Sequence, residues 1–147
     1  MDILKTGVIG VGRLGRFHAQ KYASNKSADL VGVFDTNEKQ CASVAKETGS
    51  EPFTSLTALL EKVDAVSVAV PTTLHYEVGC QVIDAGCHML IEKPITSNSD
   101  EARKLVELAA KKNRVLQVGH IERFNPAVSA LRGIEMRPRF VEAHRLA

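Results

Sequence analysis

The sequence has almost no excess of one charge: 19 basic and 17 acidic residues leave a net +2, and the two signs are interspersed. Binding to phosphate backbones needs clustered Lys and Arg. The densest stretch, Lys111, Lys112 and Arg114, follows Asp100, Glu101 and Glu107, so charge gives no reason to expect a nucleic-acid partner. Long apolar runs are missing as well. The longest are strand-sized, such as Ala65–Pro71 with one serine inside, whereas a membrane span needs about 20 apolar residues. The start, Met1-Asp2-Ile3-Leu4-Lys5, lacks the basic opening and apolar core of a signal peptide. Cysteine is scarce and odd in number: Cys41, Cys80 and Cys87 show no metal-ligand spacing. They fit small, reduced, buried thiols, so a cytoplasmic protein without a metal site is expected. No internal repeat, low-complexity segment or Gly/Ser linker divides the chain.

What is present is ordinary globular composition, 44% apolar and 24% charged. The 147 residues make one domain's worth of chain, able to bury roughly 68–70% of the surface it exposes when unfolded. Short apolar runs alternate with helical periodicities. Thr6–Gly10, Leu30–Phe34, Asp64–Val70, His88–Ile91 and Val115–Val118 read as strands, and Glu51–Phe53 as a short one that Pro52 puts at an edge or a strand start. Between them Arg13–Ser24, Glu38–Thr48, Thr57–Lys62 and His75–Ala85 read as helices, followed by a helix capped by Ser99 and by Asn125–Arg132. Cys41, Val44 and Ala45, then Val78, Val82 and Ala85, then Ala102, Leu105, Val106 and Ala109 are the expected inward faces. Strand and helix alternating at this spacing give an α/β fold with a doubly wound parallel sheet of the Rossmann type. Pro138–Ala147 breaks the cycle and reads as one more strand with no place in that sheet.

Gly10-Val11-Gly12-Arg13-Leu14-Gly15 is G-x-G-x-x-G, placed directly between a strand and a helix. Gly10 permits the tight turn, Gly12 lets a pyrophosphate approach the backbone, and Gly15 lets helix and strand pack closely. The helix amides, with Arg13 and Leu14 in the same cradle, face the negative charge. Asp35 closes the second strand 20 residues beyond Gly15, where an acid that binds ribose hydroxyls belongs. A glycine-rich turn without a ligand is the plain alternative. A methyltransferase would share the acid, but its loop usually runs closer to G-x-G-x-G. The carboxylate of Asp35 would repel a 2′-phosphate, and Thr36, Asn37 and Glu38 include no arginine to receive one. NAD is therefore expected over NADP.

Ligands of open parallel sheets sit outside the carboxyl ends of the strands. Three further segments land there: Pro71-Thr72-Thr73-Leu74-His75, Glu92-Lys93-Pro94 and Gly119-His120. With Gly7–His18 (GVIGVGRLGRFH), Asp64–His75 (DAVSVAVPTTLH) and Val118–Pro126 (VGHIERFNP), they make the chain resemble the glucose–fructose oxidoreductase/inositol dehydrogenase family, Gfo/Idh/MocA. The resemblance implies an N-terminal domain that binds a nicotinamide dinucleotide, spanning residues 1–132 here. It implies that Pro71, Thr72, His75 and Glu92 lie along the cofactor. Lys93 of E-K-P would be the catalytic residue, reaching a sugar or nucleotide-sugar substrate beside the nicotinamide. Val118–Pro126 looks most like the branch that oxidises the 3-position of UDP-N-acetylated sugars.

The chemistry of Lys93 agrees with that role. Oxidising a secondary alcohol removes a hydride to nicotinamide and a proton to a base; a neutral amine accepts that proton, and an ammonium polarises the oxygen instead. The alternative is a surface lysine paired with Glu92. His75 can contact a ligand or bond to local backbone, His120 can contact substrate or pack at a strand end, and His18 reads as helix packing. Arg123 suits a substrate phosphate or carboxylate, or an exposed salt bridge. The family's chain normally continues into a second α/β domain that covers the substrate, builds homo-oligomers and carries a D-x-x-x-H pair. No such pair follows Lys93, and residues 133–147 read as the connector and first strand of that domain. Two readings stay open: the cofactor-binding half of a sugar dehydrogenase, and a noncatalytic NAD-sensing module acting through a partner.

Overall fold

A computed structural model describes residues 3–131 together with 137, 139–142 and 144. Six strands form one wholly parallel sheet: β1 (Leu4–Ile9), β2 (Ala28–Phe34), β3 (Glu51–Phe53), β4 (Ala65–Val68), β5 (His88–Ile91) and β6 (Leu116–Val118). Their spatial order is β3-β2-β1-β4-β5-β6. The chain runs outward from β1 through β2 to β3, crosses back to β4, and continues outward to β6. The crevice between β1 and β4 is therefore the topological switch point, where ligands of such sheets bind.

Helices connect every consecutive pair: α1 (Arg13–Ala23), α2 (Glu38–Thr48), α3 (Leu56–Leu60), α4 (His75–Asp84) and α5 (Ser99–Lys111), with α6 (Pro126–Ala130) after β6. Two apolar clusters lie on the sheet. Val8, Val11, Ala19, Leu30, Val33, Cys41, Val44 and Ala45 join α1 and α2 to β1 and β2. Ile9, Leu59, Val66, Val68, Val82, Ile83, Met89, Ile91 and Leu105 hold α3, α4 and α5 to the sheet in the other cluster. Val8 and Ile9, neighbours along β1, fall in different clusters, as alternation in a sheet covered on both sides requires, and on β4 Val66 and Val68 both belong to the second cluster with the buried polar Ser67 between them. Among the described residues, no helix is long and apolar enough to cross a membrane.

The helices α2, α5 and α6 begin where short polar side chains satisfy free amides. Asn37, Asn98 and Asn125 accept from the backbone N–H groups of Gln40, Glu101 and Ala127. This corrects the expected cap of α5: Ser99 is already helical, and Asn98, in extended conformation, makes the capping bond at 2.9 Å. Two expected inward residues are also exposed, Ala85 and Val106. The buried stripe of α4 is His75, Gly79, Val82 and Ile83, and that of α5 is Leu105 and Ala109. Val106 follows Leu105 by one residue and so lies about 100° around the helix. In the strand expected within Pro138–Ala147, residues 139–142 and 144 are described and carry no strand. The rest of that expectation, and most of the connector from residue 133, lies outside the described residues.

Candidate functional site

The register of the sheet builds the site. Ile9, Phe34, Val68, Ile91 and Val118 end their strands in one row, paired Ile9 with Phe34, Ile9 with Val68, Val68 with Ile91, and Ile91 with Val118. The next residues form the rim: Gly10, Asp35, Ala69, Glu92 and Gly119. Backbone bonds lock that rim, from Gly10 N–H to Phe34 O (2.8 Å), Ala69 N–H to Ile9 O (2.8 Å), Glu92 N–H to Val68 O (2.9 Å) and Gly119 N–H to Ile91 O (2.8 Å). Five segments far apart in sequence thus meet along one edge.

At the switch point the rim opens into a cleft of about 490 Å³. Gly10, Gly12, Arg13, Leu14, Asp35 and Pro71 of the expected site line it, together with Phe34, Thr36, Ala69, Val70 and Leu74. The glycines divide their tasks as the sequence suggests. Gly10 has φ +80°, and a Cβ there would lie 2.9 Å from the Ala69 backbone. A Cβ on Gly15 would sit 1.8 Å from the carbonyl oxygen of Gly10, so helix and loop touch only because it is absent. A Cβ on Gly12 would meet nothing within 4 Å. That space opens at the N-terminus of α1, whose first turn holds no acidic residue to offset the helix dipole. Unsatisfied N–H groups and open space together suit a pyrophosphate.

Asp35 does more than the sequence indicated. Its Oδ2 accepts from the Val11 N–H at 2.7 Å and its Oδ1 from the Asn37 N–H at 2.8 Å, so it ties the glycine loop to the end of β2. Gln40 adds a bond from Nε2 to the Val11 carbonyl oxygen at 2.7 Å. Each carboxylate oxygen keeps a further lone pair for a ribose hydroxyl. Neither loop-holding contact has a sequence signal beyond the presence of a polar side chain.

The remaining candidates occupy three other places. Thr72 begins a single 3₁₀ turn, Thr72–Leu74, that leads into α4. His75 is not on the cleft surface: it is fully buried, with Nδ1 2.8 Å from Pro94 O and Nε2 3.0 Å from Val70 O. It holds the turn after β5 against the end of β4, so a direct contact with cofactor gives way to a structural link between two rim segments. Glu92 is also turned inward. Its Oε1 lies 2.9 Å from His18 Nε2, and its Oε2 accepts from the Lys93 N–H at 3.2 Å. The ion pair weighed between Glu92 and Lys93 is not formed among the described residues; the side chain of Lys93 is exposed at the rim. His120 and Arg123 line a separate hollow of about 500 Å³ beside β6, with Gln117 and Phe124.

Comparison with known proteins agrees with this geometry. The family model GFO_IDH_MocA, described as an oxidoreductase family with an NAD-binding Rossmann fold, matches residues 4–120. The chain is 49% identical over 145 residues to UDP-N-acetylglucosamine 3-dehydrogenase of Acidithiobacillus ferrooxidans, covering 98% of this chain and 46% of that protein. A solved structure of that dehydrogenase superposes with a TM-score of 0.86 over 90% of this chain and 43% of its own. Inositol 2-dehydrogenase of Corynebacterium glutamicum is 32% identical over 134 residues, 88% of this chain and 40% of the relative. Scyllo-inositol dehydrogenase of Lactobacillus casei, solved with bound NAD(H) and scyllo-inositol, has a TM-score of 0.83 at 26% identity, covering 89% and 40%. The chain thus spans 46% and 40% of the length of these two curated relatives. With the glycine loop, the acid of β2 and the rim of the sheet all in register, the chain belongs to the Gfo/Idh/MocA oxidoreductase family and carries its NAD-binding Rossmann fold.

Proposed function

We propose that this chain is the cofactor-binding part of an enzyme that oxidises a secondary alcohol of a sugar or nucleotide sugar with NAD. The observation that carries the reading is the switch-point cleft, where Gly12 leaves open space at the N-terminus of α1 and Asp35 stands across the loop. Gly10, Gly12, Arg13, Leu14 and the first amides of α1 hold the pyrophosphate, and Asp35 takes the adenosine ribose hydroxyls. The preference for NAD over NADP follows from Asp35, whose carboxylate faces the position a 2′-phosphate would occupy. Bound NAD supplies a hydride acceptor. Lys93, exposed on the same rim at the end of β5, contacts the substrate hydroxyl and either accepts its proton or polarises its oxygen. The 49% identity to a UDP-N-acetylglucosamine 3-dehydrogenase favours a UDP-N-acetylated sugar as substrate and its 3-hydroxyl as the reacting group.

The test is NADH formation when NAD and UDP-N-acetylglucosamine are added to the polypeptide that contains this chain, with Lys93→Met alongside. Wild type should form NADH, and Lys93→Met should lower turnover by about 10²–10⁴, the usual range for a general acid or base. Undiminished turnover in Lys93→Met would remove Lys93 from the mechanism.

A further inference from the structure

We propose that His18 is a positioning residue for Lys93, through which the glycine-loop helix holds the turn that presents that lysine. The inference rests on the reading of Lys93 given above. His18 lies on α1, whose buried residues are Gly15 and Ala19, yet its ring enters a chain of polar groups between helix and sheet. Tyr22 Oη is 2.8 Å from Ser67 Oγ, Ser67 Oγ is 3.0 Å from His18 Nδ1, and His18 Nε2 is 2.9 Å from Glu92 Oε1. The other carboxylate oxygen of Glu92 accepts the backbone N–H of Lys93.

The direction of these bonds follows from the carboxylate, which accepts only. His18 Nε2–H donates to Glu92, so Nδ1 of a neutral ring accepts from Ser67 Oγ–H, and Ser67 accepts from Tyr22 O–H. Every member is satisfied in that arrangement. Ser67 is fully buried on β4, and the side chains of His18 and Glu92 are 18% and 11% exposed. A polar network placed where apolar packing would serve is costly unless complete, and a complete one fixes a single geometry.

Two features show that the geometry being fixed is that of Glu92 and the turn after it. A Cβ on Gly119, the adjacent rim residue of β6, would lie 3.1 Å from Glu92 Oε1. Glycine there leaves the carboxylate the room to face His18. On the far side of Lys93, His75 lies against the carbonyl oxygen of Pro94. The Lys93–Pro94 segment is thereby held at its N–H by Glu92 and at its C=O by His75, and His18 is the link that returns the first contact to α1.

The test uses the chain itself and compares His18→Gln with His18→Asn. The glutamine amide reaches the position of Nε2 and can donate to Glu92; the asparagine amide reaches only the position of Nδ1. Amide exchange followed by NMR should speed up at Lys93 by about tenfold in His18→Asn and stay within about threefold of wild type in His18→Gln, while the amides of β1 and β4 keep their protection. A loss of general packing would not be rescued by one amide and left by the other. If His18→Asn does not fold, Gly119→Ala, which crowds Glu92 from β6, should give the same local acceleration. Unchanged exchange at Lys93 in His18→Asn, or equal acceleration in both His18 variants, overturns the proposal. NADH titration of the same samples separates the two ideas. Wild type that fails to bind NADH refutes the proposed function, whereas the exchange pattern alone decides the role of His18.

Discussion

Gly12 and Gly15 are three residues apart in one motif, yet their surroundings assign them different work. A side chain at Gly15 would collide with the Gly10 carbonyl, while one at Gly12 would enter open space. Gly15→Ala should therefore destabilise the fold by about 1–3 kcal/mol, the usual cost of overpacking, measured by urea denaturation. Gly12→Val should melt near wild type. Asp35→Ser should weaken NADH binding by about tenfold to a hundredfold, the worth of a charge-assisted bond, and narrow the gap to NADPH; a wild type that already prefers NADPH would contradict the assignment. Burial pushes the Cys41 and Cys87 thiols up from their ordinary value. Both are 2% exposed. They should resist alkylation in the native chain at neutral pH. A thiol held protonated in the folded state costs nothing below its unfolded pKa and disfavours folding once the unfolded thiol ionises. Stability read by denaturant should fall as the pH rises above about 8.5.

Elements whose signal is local are legible in this sequence, and those set by distant partners are not. Glu38–Thr48 and His88–Ile91 coincide with their expected bounds because apolar spacing and Gly49, in left-handed conformation after α2, act within a few residues. The glycine loop and Asp35 were legible for the same reason. The cap of α5 lies one residue before the expected Ser99 because Asn98 and Ser99 are both good caps, and only the backbone angles decide between them. Asn98→Ala should cost about 1 kcal/mol in denaturant unfolding, and Ser99→Ala much less. The inward turns of His75 and Glu92 were hidden. His18 and Glu92 are 74 residues apart, and what brings them together is the register of β1, β4 and β5, which no spacing in the sequence encodes.

At the scale of the molecule, six parallel strands end in one row, so the switch point collects the glycine loop, the acid of β2 and the E-K-P turn on a single rim. In the proposed function, that rim gives a dinucleotide its phosphate cradle at the glycine loop and its ribose acceptor at Asp35. The most direct measurement is a fluorescence titration of NADH into wild type and Gly12→Val. Saturable binding by wild type and its loss in a Gly12→Val chain that melts normally is the expected result, and equal affinity in the two, or no binding by wild type, would contradict the account.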